Sequence, residues 1–418
     1  MHFLYNLGIF LLGFAIQLAS FFSSKAKLWI SGRKNWRQFY KQHKSTLLKQ
    51  PHTLWMHVSS LGEFEQGRPV LERFREVYPD FNIVLTFFSP SGFEIRKQYT
   101  GADLVGYLPL DTPKNARDFL DILQPSLAVF VKYDFWANHL FALKSRGVPT
   151  LLVAGLFREN QVYFKPLGAF WKNVLACFSE MHVQNVESEK LLQGIGLHHI
   201  TVAGDTRIDR VIRLAEQAHA PDNIAAFVHE ANPVIIAGST WDPDENMLRT
   251  LILNNTFPHA KWIIAPHHPS ANHVQKLQAV IPGSVRLSEL SIPNDYNKKV
   301  LIIDNVGMLN SLYKLADIAY IGGGFGRGIH NTLEPAAFGL PVIFGPNYQK
   351  FEEARQFVAL GGAWSVQDAT ALLKAIEHFS EREKRYAAQE AVLGYLVLSK
   401  GATEKAVDTL QKMRANLH

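Results

Sequence analysis

Three carboxylates stand where apolar runs end, and each has a chemistry open to it. Glu63 follows Gly62 in S-L-G-E at an expected strand-to-helix turn. A carboxylate there suits a general base that takes the proton from an attacking hydroxyl, or it complements the positive end of its own helix. Asp134, in K-Y-D-F-W, lies just past a buried run with Lys132 before it. It either orients a substrate hydroxyl or amine, or caps the next helix. Arg158 and Arg207 also follow strands, and with Lys132 they suit an anionic, phosphorylated substrate.

The third carboxylate, Glu334, belongs to the stretch Tyr320 to Pro346, YIGGGFGRGIHNTLEPAAFGLPVIFGP. A buried strand enters a cluster of Gly322, Gly323, Gly324, Gly326 and Gly328, and His330, Asn331 and Glu334 follow at helical spacing. Glycines at such a turn let backbone approach a ligand, and a helix N-terminus offers N–H groups to an anion. Glu334 then suits a ribose, and the ordered set suggests a nucleotide-sugar site. Around it, Gly238-Ser239-Thr240 ends a strand, as a phosphate contact or an N-cap. His267-His268 ends another, with no H-E-x-x-H spacing for zinc. Asn305 to Leu309, N-V-G-M-L with Gly307 at its centre, is expected to start a helix and to border a base pocket.

These residues need a scaffold, and the pattern supplies one. From Thr53 short apolar runs (LWMHVSS, FNIVLTFF, SLAVFVKYDFW, VPTLLVAGLF) alternate with amphipathic stretches, and a second series begins at PVIIAGST. Strands alternating with helices predict parallel doubly wound sheets with ligands at the carboxyl ends of strands. The expected division is a hydrophobic anchor at 1–24, a first Rossmann-like domain at 25–210 and a second at 211–380. The helical tail, 381–418, is expected to pack back on the first domain. A length of 418 residues fits two domains.

Composition narrows the class. The formal charge of +6 suits a polyanionic partner or an anionic surface, while the dispersed basic residues carry no nucleic-acid recognition motif. The lone Cys177 excludes an intramolecular disulfide and a Cys-based metal site. Phe3 to Phe22 is a run of 20 residues without a charge, long enough to span a bilayer or to lie in its interface. Lys25, Lys27, Arg33, Lys34, Arg37, Lys41 and Lys44 follow, which places the body at the cytoplasmic face.

The ordered motifs resemble the 3-deoxy-D-manno-octulosonic acid (Kdo) transferases, membrane-anchored GT-B glycosyltransferases of lipopolysaccharide synthesis. The resemblance rests on W-x-H-x-x-S-x-G-E at Trp55 to Glu63, Ser89-Pro90-Ser91-Gly92, and L-P-x-D at Leu108 to Asp111. It continues in G-S-T at 238 to 240, A-P-x-H-P at 265 to 269, G-I-H-N-T-L-E-P-A at 328 to 336 and F-G-P at 344 to 346. It implies a GT-B α/β fold of two Rossmann-like domains facing a cleft, with Glu63 as general base. The implied acceptor, a lipid A precursor, falls to Ser60, Lys132, Asp134, Arg158 and Arg207. The implied donor, CMP-Kdo, falls to Ser239, Thr240, His267, His268, Gly307, Gly324, Asn331 and Glu334. No metal or other cofactor is implied, and the location is the bacterial inner membrane among its lipids. The sequence departs at E-T-E-L-W-P-N, which reads Lys132 to Asn138 as K-Y-D-F-W-A-N, and at Trp241, His267 and Asp205-Thr206-Arg207. A UDP-sugar transferase acting on a lipid and a non-catalytic nucleotide-sugar binding protein are the other readings of the same motifs.

Overall fold

The computed structural model describes residues 1–47, 49–165 and 168–415. The chain divides into two compact units, Met1–Asp209 with Lys400–His418, and Arg210–Ser399. Each is built on a seven-stranded sheet.

In the first unit the strands are β1 (His52–Val58), β2 (Phe81–Phe87), β3 (Leu104–Tyr107), β4 (Leu127–Val131), β5 (Thr150–Gly155), β6 (Glu180–Val183) and β7 (Ile200–Val202). Their order is β3-β2-β1-β4-β5-β6-β7, with every pair parallel. Helices cover both faces, which is why β2 and β4 are buried along their whole length and read as unbroken apolar runs. The order reverses between β1 and β4, and there the carboxyl ends of two strands open a crevice. His57 pairs in register with Thr86 on one side and Phe130 on the other.

The second unit repeats the plan with β8 (Val234–Thr240), β9 (Lys261–Pro266), β10 (Ser284–Arg286), β11 (Val300–Ile302), β12 (Ile318–Ile321), β13 (Val342–Phe344) and β14 (Ala363–Ser365). The parallel order is β10-β11-β9-β8-β12-β13-β14, with its switch point between β8 and β12. The expected α/β class and two Rossmann-like sheets are thus both present.

Three helices precede the first sheet: α1 (His2–Ala19), α2 (Ser24–Ser31) and α3 (Trp36–Leu47). Helix α1 is long and apolar enough to cross a membrane. One face leaves Phe3, Leu7, Phe10 and Phe14 exposed. The other face is held by polar bonds: Tyr5 donates to Asp111 (2.5 Å), and Asn138 donates to Asn6 (2.9 Å). Arg33 departs from the basic surface expected of its neighbours. It is buried, its guanidinium lies 3.9 Å from the Trp29 ring centroid, and it donates to the carbonyls of Leu108, Trp29 and Phe88.

The tail divides its allegiance. Helix Arg382–Ser399 belongs to the second unit, whereas helix Ala402–Ala415 lies in the first. There Ala406, Val407, Leu410 and Met413 join the core under α4 (Leu61–Val77). Asp209 fastens the start of that last helix by accepting from the N–H groups of Gly401 (2.6 Å) and Thr403 (2.7 Å).

Candidate functional site

Glu63 sits in the first turn of α4, three residues after the N-cap Ser60 at the carboxyl end of β1. The Ser60 hydroxyl donates to the Glu63 carboxylate rather than capping the helix. Both side chains are partly exposed, so the carboxylate is oriented yet reachable. Glu65 turns to Arg96 at 2.9 Å.

Across the switch point, Asp134 follows β4 with a side chain 14% exposed, and its Oδ2 lies 2.5 Å from Nε2 of the buried His57. Lys132, between strand and acid, has φ of 64°. That left-handed backbone is costly for a side-chain-bearing residue and is held where surroundings fix it. Arg207 is engaged by Asp205, whose carboxylate it grips through Nε and Nη2 (2.9 and 2.6 Å). Burial works to raise the Asp205 pKa, but Arg207 and Lys132 outweigh it and hold it below the usual range. Arg158 is exposed in the loop after β5, and its backbone N–H is held by Gln161 (2.9 Å).

In the second unit the glycine loop is tied down by Asp244, a residue the motifs did not single out. Its buried carboxylate accepts from Tyr320 (2.6 Å) and from the N–H groups of Trp241 (2.9 Å) and Gly323 (3.0 Å). A Cβ on Gly322 would stand 2.3 Å from the Ser239 carbonyl oxygen, and one on Gly324 would stand 2.6 Å from Gly345. Only glycine permits these approaches. Ser239 itself has φ of 54° beside a register shift in β8.

Three rings stack at the carboxyl ends of β8 and β9. His267 lies between Trp241 (centroids 4.8 Å) and His330 (4.3 Å), and His268 meets its edge. The indole Nε1–H of Trp241 donates to His330 Nε2 (3.0 Å). An indole nitrogen only donates, so that imidazole nitrogen carries no proton and the neutral ring is protonated on Nδ1. Burial, then the neighbouring His267 and His268, push the His330 pKa down to about 4. The His330 ring is therefore neutral at physiological pH. Trp241 remains 41% exposed, a free aromatic edge at the loop.

The donor residues expected from the motifs divide by position. Ser239, His267 and Gly324 lie together with the loop and the ring stack, and His268 stands exposed beside them. Thr240 is buried, and its hydroxyl proton goes to Glu245 (2.9 Å). Gly307 is exposed in the bend before the four-residue helix Leu309–Leu312. Asn331 donates to Glu334 (2.9 Å) and accepts from the Leu333 N–H (3.1 Å). The helix containing Glu334 runs only from Leu333 to Ala337, so His330 and Asn331 belong to the loop, not to the expected longer helix. Asp242, Glu245 and His273 bring three ligand atoms within 4.8 Å. Glu245 already accepts from Thr240 and meets His273, which accounts for the cluster without an ion.

A family model described as 3-Deoxy-D-manno-octulosonic-acid transferase (kdotransferase) matches residues 34–210. A protein of that name from Haemophilus influenzae is 27% identical over 375 residues, covering 86% of this chain and 87% of the relative. One from Bordetella pertussis is 28% identical over 375 residues, covering 86% of each. The chain is thus similar to Kdo transferases over most of its length. The family model covers the part of the first unit where Glu63 and Asp134 stand, and the similarity to the two relatives extends over 86% of the chain. Solved structures agree on the fold alone. The UDP-GlcNAc 2-epimerase of Neisseria meningitidis superposes with a TM-score of 0.58 at 15% identity, covering 87% of this chain and 99% of that one. The MurG of Acinetobacter baumannii gives 0.56 at 11%, covering 87% and 100%.

Proposed function

We propose that this chain transfers Kdo from CMP-Kdo to a lipid A precursor, with inversion at the anomeric carbon, at the cytoplasmic face of a bacterial inner membrane. The observation that carries the reading is the Ser60–Glu63 pair. It sets a reachable, oriented carboxylate at the carboxyl end of β1, inside the stretch that the Kdo transferase family model matches. Glu63 takes the proton from the acceptor hydroxyl as its oxygen forms the new bond to the anomeric carbon. The bond from that carbon to the phosphate oxygen breaks, and its electron pair leaves with CMP. Arg158, Lys132 and the Arg207–Asp205 pair form the cationic side of the acceptor site. In the second unit Glu334, steadied by Asn331, accepts from the ribose hydroxyls. The glycine loop and the His330 Nδ1–H donate to the phosphate, where fixed donors stabilise developing charge.

The test is Kdo transfer from freshly generated CMP-Kdo to tetra-acylated lipid A precursor, comparing wild type with Glu63→Gln. Product from the wild type and a loss of about a hundredfold or more in the folded variant supports reaction and base together. Equal product from both removes Glu63 as the base. No product from either, with CMP still bound, leaves a nucleotide-sugar binding protein.

A further inference from the structure

The proton positions behind Asp134 follow from a residue that has no choice. The indole Nε1–H of Trp55 lies 2.8 Å from the Thr86 hydroxyl oxygen, and an indole nitrogen can only donate. Thr86 therefore accepts there and must place its own proton elsewhere. His57 Nδ1 stands at 2.8 Å, while the alternative acceptor, the Met56 carbonyl, is at 3.5 Å. The shorter contact wins, so Nδ1 accepts and the neutral ring carries its proton on Nε2. That nitrogen lies 2.5 Å from Asp134 Oδ2. The Trp136 indole also lies 3.0 Å from that nitrogen and could only donate to it. The Asp134 oxygen stands closer, and two acceptors at 2.5 Å need a proton between them, which assigns it to Nε2. Donation runs in one direction, Trp55 to Thr86 to His57 to Asp134. Trp55, Thr86 and His57 are each fully buried.

We infer that His57 is a positioning residue for the transfer: with Thr86 and Trp55 behind it, it fixes one oxygen of Asp134 and leaves the other to hold the acceptor hydroxyl. This rests on the transferase reading above. Among the described residues, His57 is the one hydrogen-bond partner of the Asp134 carboxyl. The remaining oxygen belongs to a side chain that is still partly exposed. It lies at the same switch point as Glu63, because β1 carries His57 toward Glu63 and β4 leads into Asp134. Aromatic rings bound the surroundings: Trp136 stacks on Phe88 with centroids 4.4 Å apart, and Phe135 packs against Tyr163 at 5.4 Å. A carboxylate in such a setting selects a hydroxyl by direction, since a buried or half-buried acceptor left unmet is costly.

The experiment has two independent arms. Nitrogen-15 NMR of histidine-labelled protein, without substrate, should show the His57 signals with an unprotonated Nδ1 and a protonated Nε2. Thr86→Val should shift the ring toward the other tautomer. The reverse assignment in the wild type overturns the inference even if transfer is observed. The second arm is steady-state transfer. His57→Leu should lower kcat/KM for the acceptor at least tenfold while the donor KM stays within about twofold. His57→Gln, whose amide N–H can reach Asp134, should recover most of that loss. Parallel thermal melts identify a variant that has merely unfolded, and Asp134→Asn then provides the same acceptor-side readout. An unchanged acceptor kcat/KM in folded His57→Leu, or an equal loss in His57→Gln and His57→Leu, refutes the positioning role. A wild type that transfers nothing counts against the transferase reading, while the NMR arm still decides the proton order.

Discussion

Tyr5 donates its hydroxyl proton to Asp111 across 2.5 Å, which fastens the opening turns of an apolar helix to a fully buried carboxylate. Asp111 also receives His139 Nδ1 (2.5 Å) and the N–H groups of Asn138 and His139 (3.0 Å each). Burial works to raise its pKa, yet these donors hold it below the usual carboxylate range. A helix whose first turns are bound to the body on one side presents its exposed phenylalanines along its flank. That arrangement predicts a helix lying along a membrane surface instead of crossing it. Single cysteines replacing Leu4 and Lys114 should therefore be labelled by an impermeant maleimide from the same side of the membrane. Labelling from opposite sides would mean that the helix spans.

Arg33 makes a second prediction. Burial draws its pKa down to about 9, so it remains a cation at neutral pH, bonded to backbone carbonyls and enclosed by rings. Arg33→Leu leaves those carbonyls unmet and should cost about 3 kcal/mol in urea unfolding. Arg33→Lys should recover less than half, because an ammonium lacks the planar fork that reaches Leu108 and Phe88 together. Full stability in the lysine variant would show that charge alone suffices.

The Trp241 stack separates two contributions to nucleotide binding. Trp241→Phe keeps a ring on His267 but removes the donor to His330, whereas Trp241→Ala removes both. Calorimetry with CMP should show the alanine variant about tenfold weaker, the size of one aromatic contact. The phenylalanine variant should fall between. Unaltered CMP affinity in the alanine variant excludes Trp241 from the nucleotide site.

His182 sets an acid limit on folding. It is buried on β6, 3.1 Å from the Thr409 hydroxyl, and burial, then Lys405, push its pKa down to about 4 from 6.5. Because the folded value lies below the unfolded one, this contribution is complete above pH 6.5 and is lost as pH falls toward 4. Between pH 7 and pH 5 the wild type should lose about 2 kcal/mol more than His182→Gln. Urea titrations at the two pH values measure the difference, and parallel losses in both proteins would contradict it.

The strands were legible because helices cover both faces of each sheet, so burial alone produces their apolar runs. The strand β14, the three residues Ala363–Ser365, does not announce itself, since its short run lacks an aliphatic β-branched residue. The positions of Glu63 and Asp134 at strand ends followed from the same alternation. What the sequence concealed are pairings across distance. Trp241 looked like a departure from a motif until its bond to His330, 89 residues away, gave it a role. Arg33 read as a surface cation because local hydropathy cannot register the carbonyls of Phe88 and Leu108. Thr240 read as a phosphate ligand, since nothing local reveals that Glu245 receives its proton.

The helix Ala402–Ala415 has one more consequence. Its anchor on Asp209 joins groups 192 residues apart, and its side chains complete a core begun at β1. On the ribosome, the first unit must therefore wait until the whole second unit and the helix Ala402–Ala415 have been made before its hydrophobic interior can close. Until then that unfinished interior is a natural substrate for a chaperone.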